Sequence, residues 1–89
     1  LARLIESGLS EVGRTHVVRL RMRDEPGQLV RVLGTISEAD GNVLDVQHYR
    51  AGWKVPVGSV DVEILVETRR AGEGARIDEA LRAQGFVLA

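Results

Sequence analysis

Residues 15–50 read THVVRLRMRDEPGQLVRVLGTISEADGNVLDVQHYR, and the fold is decided here. The first nine alternate: Val18, Leu20 and Met22 fall on one face, Val17, Arg19, Arg21 and Arg23 on the other. Successive side chains of a strand point to opposite faces, so this spacing predicts a half-buried strand with a charged solvent face. Asp24-Glu25-Pro26-Gly27 breaks it, since proline fixes its own backbone and suits a first helical turn. Leu29, Val32, Leu33, Ile36 and Ala39 then recur at helical spacing, with Arg31, Glu38 and Asp40 toward water, which predicts a helix over 27–40. Gly34 within it costs about 1 kcal/mol relative to alanine. Gly41-Asn42 ends it as a C-terminal glycine cap. Residues 43–50 form a second strand, with Leu44, Val46 and His48 on one face and Asp45, Gln47 and Tyr49 on the other.

Outward from this unit, residues 57–68, VGSVDVEILVET, place Val60, Val62, Ile64 and Val66 inward and Asp61, Glu63 and Glu67 outward. With the loop 51–56 before it, this strand forms a hairpin with its predecessor. Residues 69–74 are a polar, glycine-bearing loop in which Gly72-Glu73-Gly74 is a flexible turn. Residues 75–84 are a second helix burying Ile77, Ala80 and Leu81, with Gly85 as its cap and 86–89 as a short last strand. Residues 1–9, LARLIESGL, carry an apolar stripe at helical spacing and predict a short amphipathic helix. After residue 14 the order is β-α-β-β-α-β. This predicts an α+β, ferredoxin-like βαββαβ sandwich, an antiparallel sheet with both helices on one face, preceded by a short N-terminal helix. Arg19, Arg21 and Arg23 are expected opposite Asp61, Glu63 and Glu67. Such cross-strand pairs contribute roughly 0.2–1 kcal/mol each, and the same charges keep an open face soluble.

The chain has 89 residues, enough for one small domain. At that size only roughly 60–65% of the unfolded surface is buried, so an enclosed active site is not expected without a partner. A net charge of −1 argues against a nucleic-acid partner. So do Arg19, Arg21, Asp61 and Glu63, which occupy outward positions where RNA-binding folds of this topology carry aromatic residues. The absence of cysteine excludes disulfides and thiolate metal sites. No apolar run approaches the ~20 residues of a membrane helix, and no signal-peptide pattern opens the chain, so no membrane partner and a cytoplasmic location are expected. His16 and His48 lack metal-ligand spacing, and His48 reads as a core-edge histidine. Lys54, the only lysine, sits in a loop where nothing lowers its pKa, which makes it a poor Schiff-base nucleophile. Neither a phosphate-binding glycine loop nor a Gly-x-Ser-x-Gly elbow occurs. No catalytic or metal site is therefore expected.

What remains is a small-ligand or subunit-contact site. A helix beginning near Gly27 offers free N–H groups from about Gly27 to Val30 and a partial positive charge, which suits a carboxylate. Asp24 and Asn42 are candidates for an ammonium group, and together these features suit a free amino acid. The alternative is structural: Asp24 caps the helix and Asn42 occupies a left-handed turn. Trp53 either contacts another domain or folds back over Val55 and Val57.

Residues 20–51 also resemble an ACT domain. The resemblance rests on the acidic-x-Pro-Gly turn, the helix with Leu29 and Ile36, and Gly41-Asn42 before the second strand. It narrows with Asn42-Val43-Leu44-Asp45-Val46-Gln47-His48-Tyr49-Arg50, Val62-Glu63-Ile64 and Glu67-Thr68-Arg69, which are similar to the C-terminal regulatory ACT domain of threonine dehydratases (threonine ammonia-lyases). Ile5-Glu6-Ser7-Gly8-Leu9 with Gly13-Arg14 looks like the junction leaving the catalytic domain. The resemblance implies residues 1–14 as a junction and 15–89 as an ACT regulatory domain. With no initiator methionine, the chain is expected to be a piece of a longer enzyme. It also implies a parent that uses pyridoxal phosphate to deaminate threonine, with no cofactor in this piece and no catalysis by it. The implied partners are an amino-acid effector such as isoleucine or valine, a second ACT domain, and the parent's catalytic domain. Asp24, Glu25, Gly27 and Gln28 would line the effector turn, and Asn42, Val43 and Leu44 would face it across the pair. Glu25 departs from the pattern, standing where many relatives have an arginine. The alternative function is a ligand-free ACT oligomerisation module, prompted by the unpaired sheet edge of such a fold.

Overall fold

A computed structural model describes residues 13–49 and 55–88. The helix expected over 1–9, the junction up to residue 12, Trp53 and Lys54 lie outside the described residues. The elements are β1 (Thr15–Arg23), α1 (Gln28–Glu38), β2 (Asn42–Tyr49), β3 (Ser59–Glu67), α2 (Gly74–Ala83) and β4 (Val87–Leu88). They form one antiparallel sheet in the order β2-β3-β1-β4. This is the expected βαββαβ arrangement. The two helices pack side by side, α1 toward β2 and α2 toward β1 and β4.

The alternation in β1 and β3 is what forms the core. Val18, Leu20 and Met22 from β1 and Val60, Val62, Ile64 and Val66 from β3 are buried beneath Val32 and Ile36 of α1 and Ile77 and Leu81 of α2, with Phe86 closing one side. The opposite face carries the charges. Arg19 Nε donates to Glu63 at 2.6 Å, and Arg21 grips Asp61 through two bonds of 2.7 and 3.0 Å. The Arg21 hydrogen bond holds the Asp61 carboxyl below the usual carboxylate range, against a smaller opposing effect of burial. Two of the three expected cross-strand pairs form. The third does not, because the register sets Arg23 against Ser59 and Thr15 against Glu67. Arg23 turns to Glu25 at 3.7 Å, and Glu67 meets Arg14 at 3.8 Å.

Four local expectations are corrected. The left-handed residue ending α1 is Asp40 (φ 66), not Gly41 or Asn42. Gly41 is needed for a different reason: a Cβ there would come within 2.7 Å of Ile36 Cγ2 and 2.8 Å of Val66 Cγ1, so helix and sheet meet over its bare backbone. In β2 the pairing slips between Val43 and Asp45. Val43 faces Val66 and Val46 faces Ile64, both against the core, so Leu44 is the extra residue of a bulge and does not share a face with Val46. His48 has the expected inward register, opposite Val62, but it is exposed at the end of an edge strand and is not a core-edge residue. Gly74 is the first residue of α2 rather than part of a flexible turn.

Candidate functional site

The β1–α1 turn is spare in its construction. Asp24 N–H donates to Gly58 O at 2.9 Å and Glu25 N–H to Arg23 O at 2.9 Å, which tie the turn to the start of β3 and to itself. Gly27 then enters the helix with φ 88, in the left-handed region where L side chains are strained, and no side chain caps α1. The N-cap position is thus Gly27 and not Asp24. The four expected open donors are also reduced, because Gln28 N–H already reaches Glu25 O at 3.3 Å. A Cβ placed on Gly27 would meet nothing within 4 Å. The turn is thus an accessible edge of backbone at the start of a helix. Beside it lies a cleft of about 400 Å³ lined by Gln28, Arg21, Arg23, Arg31 and Phe86. Arg31 is fixed there, 4.8 Å from the Phe86 ring centre and donating to Gln84 O at 3.2 Å.

The other half of the expected site is elsewhere. Asn42 pairs with Glu67, and Glu67 with Thr15, whereas Tyr49 pairs with Asp61, and Asp61 with Arg21. Asp24, Glu25, Gly27 and Gln28 therefore occupy one pole of the sheet, and Asn42, Val43 and Leu44 the other. A single chain does not bring them together. Asn42 instead shares a cleft of about 240 Å³ with Asp40, Glu67, Arg14 and Arg69. Arg14 is engaged, its Nε donating to Thr68 O at 2.8 Å. Arg69 lies 3.9 Å from Asp40, beyond hydrogen-bond reach, with both side chains well exposed. Sequence reasoning did not place Asp40 and Arg69 beside Asn42. The signal available for Arg69 was its place at the end of the Glu67-Thr68-Arg69 run.

His16, set aside as a metal ligand, has a structural partner. Its Nε2 lies 2.8 Å from Asp78 Oδ1, joining the start of β1 to α2. Among the described residues no three His, Asp or Glu side chains gather as a metal site. An imine with pyridoxal phosphate needs a lysine, and the chain's single one, Lys54, lies outside the described residues. None of their helices is long and apolar enough to cross a membrane.

A one-layer antiparallel sheet with two helices on one face, in the order βαββαβ, defines a small α+β module of the ferredoxin-like type. The family model of the ACT domain matches residues 16–85, and the chain belongs to that family. It is 34% identical over 86 residues to the L-threonine ammonia-lyase of Thermotoga maritima, covering 97% of this chain and 21% of that protein. It is 29% identical over 85 residues to the L-threonine ammonia-lyase of Geobacter sulfurreducens, covering 96% and 21%. The chain thus spans about a fifth of the length of these curated relatives.

Proposed function

We propose that this chain is the amino-acid-sensing regulatory domain of a threonine ammonia-lyase, that its effector is isoleucine or valine, and that the effector binds between two copies. The observation that carries this reading is the β1–α1 turn, where Gly27 leaves the start of α1 without a side-chain cap and open to a ligand. Strand polarity supports the pairing. β2 is an edge strand of eight residues, Asn42–Tyr49, with one side unpaired among the described residues. Two copies related by a two-fold axis normal to the sheet would join these edges antiparallel, about 4.8 Å apart. That operation sets the Asn42 end of one copy beside the Tyr49 end of the other, which is the pole of the Asp24–Gln28 turn. The two halves of the expected site, at opposite poles of one chain, lie at the same pole across the pair.

In this reading Asp24, Glu25, Gly27 and Gln28 of one copy and Asn42, Val43 and Leu44 of the other surround the effector. Pyridoxal phosphate and threonine chemistry belong to the parent's catalytic domain, and the pair transmits effector occupancy to it. Calorimetry and thermal unfolding of the chain against a panel of amino acids test this. An effector that binds only the native pair stabilises it by about 2.7 kcal/mol at a hundredfold excess over Kd. Isoleucine or valine is expected to raise the Tm and the other amino acids are not. A dimer that no amino acid stabilises at about 10 mM would overturn the reading and leave an assembly module.

A further inference from the structure

The walls of the cleft beside the β1–α1 turn are the end of β1, the first turns of α1 and the connection from α2 to β4. β4 is the edge of the sheet opposite β2, so this cleft lies away from the edge at which two copies would pair. Its volume of about 400 Å³ falls within the range of small-molecule sites, about 300–1,000 Å³. Three arginines line it and, among the described residues, no Asp or Glu does, in a chain whose net charge is −1. The three differ in commitment. Arg21 is gripped by both oxygens of Asp61. Arg31 is placed by its surroundings: its guanidinium lies 4.8 Å from the Phe86 ring centre and donates to Gln84 O at 3.2 Å and to Gln28 Oε1 at 3.4 Å. Those bonds use two of a guanidinium's five N–H donors. Arg23 lies 3.7 Å from Glu25, beyond hydrogen-bond length, with side chains 77% and 50% exposed. A surface pair of this kind contributes little and yields to a stronger partner.

We infer that this cleft binds a phosphate group, with Arg31 as its fixed donor and Arg23 as the arm that leaves Glu25 to meet it. The inference goes beyond the proposed effector site and stands independently of it. The lining selects the ligand class. An amino acid brings an ammonium group, and no carboxylate lines the cleft to receive it. A phosphate group brings a charge of about −1.5 to −2 and three strong acceptor oxygens. It can therefore engage Arg23 and Arg31 together, with the Gln28 amide and the Ser59 hydroxyl as further donors in the same lining. A single carboxylate has one charge and two oxygens, and satisfies one guanidinium. Val87, 68% exposed, gives the cleft an apolar wall for the organic part of a phosphate monoester.

The test titrates the chain with inorganic phosphate, ribose 5-phosphate and acetate at fixed ionic strength, since salt screens exposed charges. Calorimetry reads the affinity and backbone amide NMR shifts read the location. Phosphate is expected to bind and to shift the amides of Arg23, Gln28, Arg31 and Val87, and acetate is not. Tighter binding of ribose 5-phosphate identifies a phosphate monoester as the ligand, and equal or weaker binding identifies phosphate itself. Arg23→Gln and Arg31→Gln should each lose about tenfold in phosphate affinity, as for one charge-assisted contact, and Arg31→Lys should recover part of the loss. Arg23 is well exposed, so Arg23→Gln reads the site even where loss of Arg31 from the Phe86 ring unsettles the fold. Arg69→Gln removes an equal charge at the opposite pole and should change nothing. A loss from Arg69→Gln equal to that from Arg23→Gln would reduce the binding to net charge and overturn the inference. So would shifts centred on Asn42 and Arg69, unchanged affinity in both Arg23→Gln and Arg31→Gln, or no phosphate binding at about 10 mM. Isoleucine separates the two sites. If it fails to bind, the proposed function falls and this site stands; if it displaces phosphate, the cleft is the effector's own and the inference falls.

Discussion

The chain passes from strand to helix twice, through residues 24–27 and through residues 68–73, and the two crossings are built differently. The second is closed. Thr68 is 2% exposed, its N–H donates to Arg14 O at 2.7 Å, and its hydroxyl lies 2.8 Å from Arg70 O and 3.1 Å from Arg14 O. Gly72 N–H reaches Gly13 O at 3.1 Å, and Gly74 lies against the His16 ring, which Asp78 holds from the other side. In the first crossing Asp24 N–H donates to Gly58 O, and the space over Gly27 is open. Topology is the same in both βαβ halves. The difference is that the chain entering β1 lies over the second crossing and supplies it with partners.

The largest expected effect at these crossings is on the closed one. Gly74→Ala places a methyl group into the His16 ring, which is short and pinned, and is expected to cost about 1–3 kcal/mol in urea unfolding. His16→Ala should recover part of it in the double mutant, because the two residues touch. An additive pair would mean that the contact does not hold the crossing shut. Next is Thr68→Val, which keeps the shape and removes the buried hydroxyl. A loss of about 1 kcal/mol is expected by the same measurement, and no change would show that the backbone bonds alone suffice.

At the open crossing the balance reverses. Gly27→Ala meets no atom within 4 Å and pays only for its left-handed backbone, about 1 kcal/mol or less. Its effector-induced Tm shift is nevertheless expected to disappear, since the methyl group occupies the approach to α1. A retained shift would move the ligand elsewhere. The smallest effect belongs to neither crossing and serves as a control. Arg21 lowers the Asp61 pKa, so the pair's contribution is present above the unfolded value near about 4 and is lost as pH falls through the folded value. The difference in Tm between wild type and Asp61→Asn should therefore shrink as pH is lowered from about 5 to about 2, with effector binding untouched at neutral pH. A difference that grows on acidification would reverse the sign.

The sequence carried the sheet well where periodicity is strict. The inward Val60, Val62, Ile64 and Val66 and the outward Asp61 and Glu63 read directly, because one buried face penalises a one-residue slip at every position. It misled where a single residue breaks the period. The bulge at Leu44 depends on how β2 follows the register of β3, and no local preference of Val43-Leu44-Asp45 announces it. Gly41 was legible as a necessary glycine but for the wrong reason, since its neighbours Ile36, Val66 and Ile77 come from three elements. The Asp24–Gly27 turn was legible because Pro-Gly is a local signal. The cleft around Asn42 was not, because Asp40 and Arg69 are distant in sequence and only the β2–β3 pairing brings them together.

By itself the sequence determined the order of elements, the face each strand buries and the position of the open turn, because these follow from local backbone preferences and from apolar spacing. Tertiary structure decided which crossing is sealed and which residues share a cleft. It also placed the two halves of the expected site at opposite poles of one chain. Strand order and register are set by long-range pairing, and no window of sequence contains both partners.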